Sequence, residues 1–228
     1  MLPALLLVSS CARPSAPNDP FEPVNRAVFT FNEKFNEHVT LPIDWVYTYK
    51  LPAQLKGPLH NLLSNLQSPV VFANDLLQGH VQNAAETLAR FFLNSTLGFG
   101  GLNDFAAAHA GLPPHQADFG QTLAEYGIGS GPFLVLPVVG PTTARDALGA
   151  LVDIFANPLF YIPNGWSLMA HTGTVVGVGT VSSFQAKANA LYLRTQLSDD
   201  SLDPYATTRS AYRQHRENEV RRARTGGK

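Results

Sequence analysis

Two long stretches without a charged side chain set the terms on which this chain can fold. Nineteen residues between Glu125 and Arg145 contain no Asp, Glu, Lys or Arg, and a second gap runs from Ile154 through Ala186. An uncharged run of about 20 residues is long enough to cross a bilayer as a helix. The first gap cannot do so, because Pro132, Pro137, Pro141 and four glycines forbid a straight helix there. Its apolar part, Phe133-Leu134-Val135-Leu136-Pro137-Val138-Val139, must be buried or meet lipid in irregular form with support from the rest of the protein. The second gap is divided by Pro158 and Pro163. Its remainder, Gly165 to Ala186, carries His171, Gln185 and several Ser and Thr, so it suits a helix within the body or against a membrane better than a crossing. Gly173 and Gly177 in it form G-x-x-x-G, which permits close helix approach.

The scarcity of charge is general. Charged residues are 14% of the 228, against roughly 25% in a typical soluble domain, while hydrophobic residues stand at an ordinary 45%. The surface therefore meets something besides water. The length fits one domain with a sizeable core, and a net charge of −1 argues against broad nucleic-acid binding. What charge there is lies unevenly: residues 209–228 carry about +5 and the rest about −6. Two readings of that basic end stand, a solvated tail closing in Gly226-Gly227, or a segment drawn to anionic head groups or an acidic partner.

Near the start, Leu5-Leu6-Leu7-Val8-Ser9-Ser10-Cys11 is a short apolar run ending in small residues and the chain's one cysteine. This is the form of a bacterial lipoprotein signal, cut before the Cys, whose sulfur then carries lipid. A single unpaired thiol is otherwise unusual in an exported protein; the plainer reading is a buried Cys acting as a small hydrophobe. Met1 to Ala4 lacks the basic residue that usually opens an export signal. The expected organisation is a signal peptide over 1–10, a lipidated Pro-rich tether over 11–18, a helical domain over 19–208 and a basic helix end and tail over 209–228.

Helical spacing dominates the remainder. Pro23 suits the first turn of a helix whose apolar row is Val24, Ala27, Val28, Phe31 and Phe35, beside a second row of Asn25, Phe29, Asn32 and Asn36. That face fits either a core helix with surface amides or one that meets both lipid tails and polar groups. The proline-punctuated stretch from Leu41 to Pro52 predicts a loop or broken segment. Leu55, Leu59, Leu62, Leu63 and Leu66 predict a helix over 54–66, and Ser68-Pro69 a second, short one to Leu77. His80 to Leu97 is the best helix, with Val81, Ala84, Ala85, Leu88, Phe91 and Phe92 on one side and Gln82, Asn83, Glu86 and Arg90 on the other. Short helices follow over 104–110 and 118–126, and Thr143 with Asp146 approximates a capping box for a helix over 142–156 that carries Leu148, Leu151, Val152 and Phe155. A last helix starts at Asp203-Pro204. Glycines at Gly98, Gly100, Gly101, Gly127, Gly129 and Gly131 mark turns. No period-two alternation is sustained, so the expected class is all-α: many short helices broken by Gly and Pro.

Catalytic signatures are weak. Gly98 to Gly101 lacks the strand and the Lys-Ser/Thr of a phosphate loop, and Gly127 to Gly131 runs into Pro132 where a dinucleotide site needs a helix. Gly129-Ser130-Gly131 is not a nucleophile elbow. No two of the seven histidines have the helical i, i+4 spacing of a zinc site. Neither an enzyme, a metal nor a cofactor is expected.

Several motifs, taken in order, resemble the MlaA/VacJ family of lipoproteins. They are Asn18-Asp19-Pro20-Phe21-Glu22-Pro23-Val24-Asn25-Arg26, Phe29-Thr30-Phe31-Asn32, Leu76-Leu77-Gln78-Gly79 and Arg90-Phe91-Phe92-Leu93-Asn94-Ser95-Thr96-Leu97-Gly98. Asp118 to Leu123, Tyr126 to Pro137, Arg145-Asp146 and Ser201-Leu202-Asp203-Pro204-Tyr205 continue the match over residues 18–215; the stretch from Gly173 to Val181 has no place in the pattern. The resemblance implies a ring-like helical body seated in the outer membrane of a Gram-negative bacterium, mainly in its periplasmic-side leaflet, with an amphipathic channel. Phospholipids misplaced in the outer leaflet would pass down it to a periplasmic carrier, maintaining lipid asymmetry, with trimeric porins as membrane partners. Combining aromatics, amides and missing charge, the candidate lipid path comprises Asn25, Phe29, Phe31, Asn32, Phe91, Phe92, Phe133, Leu134 and Leu136. The competing readings are a lipid-anchored scaffold that binds porins or carrier without conducting lipid, and a phospholipid-cleaving enzyme.

Overall fold

From Glu22 the backbone stays helical as far as Lys50. The structure, a computed structural model, describes residues 19–161 and 203–225. Helix α1 spans Glu22–Phe35 with Pro23 in its first turn. Two five-residue π-helical segments, Asn36–Thr40 and Val46–Lys50, flank the short α2, Leu41–Trp45. The loop expected from Leu41 to Pro52 is thus helical to Lys50. The N–H of Leu41 reaches back five residues to the Asn36 carbonyl, and this widened turn precedes Pro42, which has no N–H to offer.

Proline misleads again in α3, Ala53–Leu77, which holds Pro58 and Pro69 in its interior. The two helices expected here are one. Each ring deletes a single ladder bond, and packing along α4 (Val81–Thr96) keeps the rest in line. Gly79, at φ 77°, closes α3, and the His80 N–H returns to the Asp75 carbonyl at 2.9 Å.

Helix starts follow their side-chain caps. Asp104 caps α5 (Phe105–Ala110), Asp118 caps α6 (Phe119–Glu125), Thr143 caps α7 (Ala144–Ala156) and Asp203 caps α8 (Pro204–Arg224), each accepting a backbone N–H from the first turn. A 3-10 turn, Pro158–Tyr161, follows α7. Helices α6 and α7 cross so closely that a Cβ on Gly149 would lie 2.4 Å from the Gly120 nitrogen.

The fold is mostly helical but not all-α. β1 (Phe133–Leu136) and β2 (Gly140–Thr143) form an antiparallel hairpin, with Phe133 opposite Thr143 and Leu136 opposite Gly140. Residues 142 and 143 are accordingly strand, not helix. Period-two reading could not find β1, because all four of its residues are apolar. What fixes it is α1. Asn25 Nδ2 donates to the Phe133 carbonyl at 3.0 Å and its Oδ1 accepts the Val135 N–H at 2.9 Å. Seven residues on, Asn32 donates to the Leu136 carbonyl at 2.9 Å and accepts the Val138 N–H at 2.8 Å, holding Val138 at the uncommon φ of 67°. Each amide thus serves as one rung of a missing strand.

The hydrophobic core is small: Phe133, Val135 and Tyr205, with Val28, Phe29 and Tyr212 against them. Beside it, buried Asp19 accepts from Asn25 at 2.9 Å, from the Tyr205 hydroxyl at 2.5 Å and from Arg209 at 2.7 Å. Arg26 makes a paired contact with Asp203 at 3.0 and 2.6 Å. Together these join α1, the hairpin and α8. The expected helix over Gly165 to Ala186, its G-x-x-x-G, Cys11 and the 1–18 segment lie outside the described residues.

Two predictions follow from these contacts. Asn25→Ala strands a buried carbonyl and a buried N–H at about 1–3 kcal/mol each, so unfolding free energy measured in detergent should fall by ~2–6 kcal/mol, whereas outward-facing Val24→Ala should change it little. The second concerns Asp153, which accepts from Asn74 at 2.8 Å and from the Phe119 N–H at 3.0 Å. Burial pushes its carboxyl up from 3.8 to about 6. The folded state therefore holds a proton that the unfolded state releases, and this group's contribution is complete below pH 3.8 and lost as pH rises to about 6. Melting temperature should show that downward component from pH 4 to 6, and Asp153→Asn should remove it.

Candidate functional site

The helices of this protein turn their polar sides inward. On α4, Thr87, Arg90 and Asn94 are buried with Ala84, while Val81 is 68% and Phe92 58% exposed. On α7, Arg145 and Asp146 are buried, while Leu148 is 60% exposed and Leu151, Val152 and Phe155 are exposed with it. On α3, Asn65, Asn74 and Asp75 point in and Leu55, Leu59, Leu76 and Leu77 point out. On α1, Asn25 and Asn32 point in, and Phe31, half exposed, points out. The apolar rows legible in the sequence are present, but most of their residues face away from the body, with Val28 and Ala84 turned inward. Among the described residues, buried polar or charged residues are twice as numerous as buried hydrophobic ones.

An interior of this kind is stable only if its polar atoms are paired. Asp75 accepts from the Thr87 hydroxyl at 2.8 Å and sits 2.9 Å from His115 Nε2. Arg90 reaches Asp104 at 3.0 Å and the Leu112 carbonyl, and Asn94 joins Asp104 at 3.1 Å to the Ala106 N–H at 2.9 Å. Arg216 on α8 grips Asp118 with two bonds of 2.8 and 2.6 Å and reaches Asp146 at 3.1 Å. Burial opposes the charge on Arg216, but those two carboxylates more than offset it and raise its pKa. Asp146 is correspondingly held below its ordinary value: burial acts against it, and Arg216, Thr143 and Arg145 outweigh burial. The basic end is therefore no free tail as far as α8 runs. Arg209 and Arg216 bind buried carboxylates, and Arg224 donates to the Ala124 carbonyl at 2.8 Å.

The nine lipid-path candidates occupy three settings. Asn25, Asn32, Phe29 and Phe133 belong to the frame: the two amides are bonded to hairpin backbone, and the Phe29 and Phe133 rings stand 5.7 and 6.1 Å from the Tyr205 ring. Phe31 and Phe92 are on the outer surface. Phe91, Leu134 and Leu136 are half-buried. Helix α1 packs on β1, which gathers the candidates of those two elements, whereas α4 packs chiefly on α3 and α5, so Phe91 and Phe92 stand apart from that group. Among the turn glycines, Gly100, Gly101, Gly127 and Gly131 have positive φ. Gly98 is needed for space, since a Cβ there would fall 2.3 Å from the Asn103 carbonyl, while Gly129 has neither constraint.

The outward face is energetically decisive. Val24, Phe31, Leu55, Leu59, Val81, Leu88, Phe92, Leu148, Leu151 and Phe155 are all exposed. At roughly half exposure each would gain about 1 kcal/mol from an apolar surrounding, so together they gain ~10 kcal/mol, comparable with the whole stability of a domain. At the end of the first helical run, the exposed Trp45 and Tyr49 rings lie 5.9 Å apart with Lys50 Nζ 5.2 Å from the Trp45 ring, a grouping typical of a membrane–water boundary. Among the described residues, no helix is long and apolar enough to cross a membrane. The rows that hold Asn25, Asn32 and Arg90 were legible from periodicity, whereas their inward direction was not.

Known proteins resemble this chain in sequence and fold. The model of the MlaA lipoprotein family matches residues 17–219. An uncharacterized protein of Rickettsia bellii is 36% identical over 203 residues, 89% of this chain and 76% of that one. Proteins named intermembrane phospholipid transport system lipoprotein MlaA are 34% identical in Escherichia coli (86% of this chain, 75% of that one) and 33% identical in Haemophilus influenzae (87% and 77%). A solved structure described as a structural basis for maintenance of bacterial outer membrane lipid asymmetry superposes with a TM-score of 0.71 at 30% identity, covering 89% of this chain and 98% of that one. The chain belongs to the MlaA lipoprotein family.

Proposed function

We propose that this protein removes mislocalised phospholipids from the outer leaflet of a Gram-negative outer membrane and passes them to a periplasmic carrier, preserving lipid asymmetry. The observation that carries this reading is the reversal of polarity: apolar rows on the outside of α1, α3, α4 and α7, and a paired polar interior. A body built this way rests in lipid although, among the described residues, no helix is long and apolar enough to cross a membrane, which fits a seat mainly in the periplasmic-side leaflet. The names of the relatives in Escherichia coli and Haemophilus influenzae support the same reading.

In this proposal the helices form a ring-like body around an amphipathic channel. The outward Phe31 and Phe92 meet acyl chains, and the half-buried Phe91, Leu134 and Leu136 stand beside the lipid's route. Asn25, Asn32, Phe29 and Phe133 hold the wall in shape. Lipid on Cys11 gives address and orientation, trimeric porins hold the body in the membrane, and no bond is made or broken.

The test is transfer of labelled phospholipid from vesicles containing the full-length lipidated chain to purified carrier. Transfer without hydrolysis is expected. Phe31→Asp and Leu134→Asp should each slow it by about tenfold, equivalent to ~1.4 kcal/mol, with protein levels unchanged. Hydrolysis products would favour an enzyme, and neither transfer nor hydrolysis would favour a scaffold. Cys11→Ala should leave the precursor mislocalised on membrane fractionation.

A further inference from the structure

A cavity of about 300 Å³ lies between α8 and the segments on either side of the hairpin. Five arginines line it, Arg145, Arg213, Arg216, Arg221 and Arg224, with one carboxylate, Glu217. Arg145 and Arg216 are met within the body by Asp146, Asp118 and Glu219, the last 3.0 Å from the Arg216 guanidinium. Arg224 gives one N–H to the Ala124 carbonyl, which leaves its charge uncompensated. Arg213 and Arg221 make no hydrogen bond or ion pair among the described residues, and the Arg216 Nε is buried without a hydrogen-bond partner. With Glu217 and Glu219 both counted, the five arginines still outnumber the carboxylates that meet them by one, so the lining remains net positive. Ser130 adds a hydroxyl to the lining; its carbonyl is already taken by the Arg145 N–H at 3.1 Å.

Guanidinium groups offer several donors in a fixed fork that matches the oxygens of phosphate. Arg221 and Arg224 are exposed and Arg213 is half-buried, so all three forks are accessible to an anion entering the cavity. We propose that this cavity binds a phosphate-bearing anion, held by Arg213, Arg221 and Arg224 with help from the Ser130 hydroxyl. The source of the phosphate is either a phospholipid head group or a free phosphate from solution. The lipid source rests on the phospholipid-transport reading above; the free-phosphate source does not.

The experiment is isothermal titration of the full-length chain in detergent, at low ionic strength, with inorganic phosphate and with soluble dihexanoyl-phosphatidylglycerol. At least one probe should bind. Arg221→Gln should weaken it about tenfold and Arg213→Gln with Arg221→Gln should abolish it, with the melting temperature unchanged because neither side chain has a partner in the fold. Arg222→Gln removes the same charge one residue along, from a side chain that does not line this cavity, and should leave binding intact. Tighter binding of the lipid than of phosphate assigns the head group, and equal binding assigns free phosphate; both support the site. If neither probe binds, or if Arg221→Gln and Arg222→Gln weaken binding equally, the site is wrong. Lipid transfer by the wild-type chain in that event would leave the transport reading standing, whereas binding without transfer would remove transport and keep the site.

Discussion

The side-chain amide of Asn25 joins parts of the chain that are far apart in sequence. It holds the Asp19 carboxylate on one side and the Phe133 carbonyl and Val135 N–H of β1 on the other, while Asp19 in turn holds Tyr205 and Arg209 of α8. Such a clasp is all-or-none. With both partners present it gains little over water, but with one removed the other is left buried and unpaired. The same logic extends through Asp75 with Thr87, Arg90 with Asp104, and Arg216 with Asp118 and Asp146. Specificity in this interior therefore comes from matching donors to acceptors more than from fitting apolar shapes.

This arrangement explains the composition. In an ordinary domain, charge is scattered over the surface and apolar residues fill the centre. Here the outward positions of α1, α3, α4 and α7 are apolar, so charge is left to the interior, where each group needs a partner, and to a few places such as α8. A low charged fraction and an ordinary hydrophobic fraction then describe one design, with the usual assignment of inside and outside exchanged.

Much of the helix content was legible in the residues. Asp104, Asp118, Thr143 and Asp203 announce helix starts by an elementary rule of side-chain capping, and Val81 to Phe92 announces α4 by spacing. Periodicity gives the existence of an amphipathic face but not its direction. The row of Leu148, Leu151, Val152 and Phe155 looks the same whether it faces inward or outward, and only the burial of Arg145 and Asp146 beside it decides. Pro69 and Pro42 were read as stops because proline removes a donor; one lost bond is outweighed where α4 supports the helix or a wider turn absorbs the ring. The hairpin was hidden for a different reason. Its cause is not in β1 at all, but in two asparagines more than a hundred residues earlier. Of the candidate lipid path, the residue types were legible, whereas their division into frame and surface depended on contacts across the chain.

The small cluster of Phe133, Val135 and Tyr205 has a thermal consequence. The heat capacity of unfolding grows with the apolar surface newly wetted. Where so little of that surface is hidden inside the body, and the rest already lies on its outside, melting exposes little that is new. The stability curve of such a protein is flat. It changes slowly with temperature, so the frame keeps its shape across the range in which a bacterial membrane stiffens or softens.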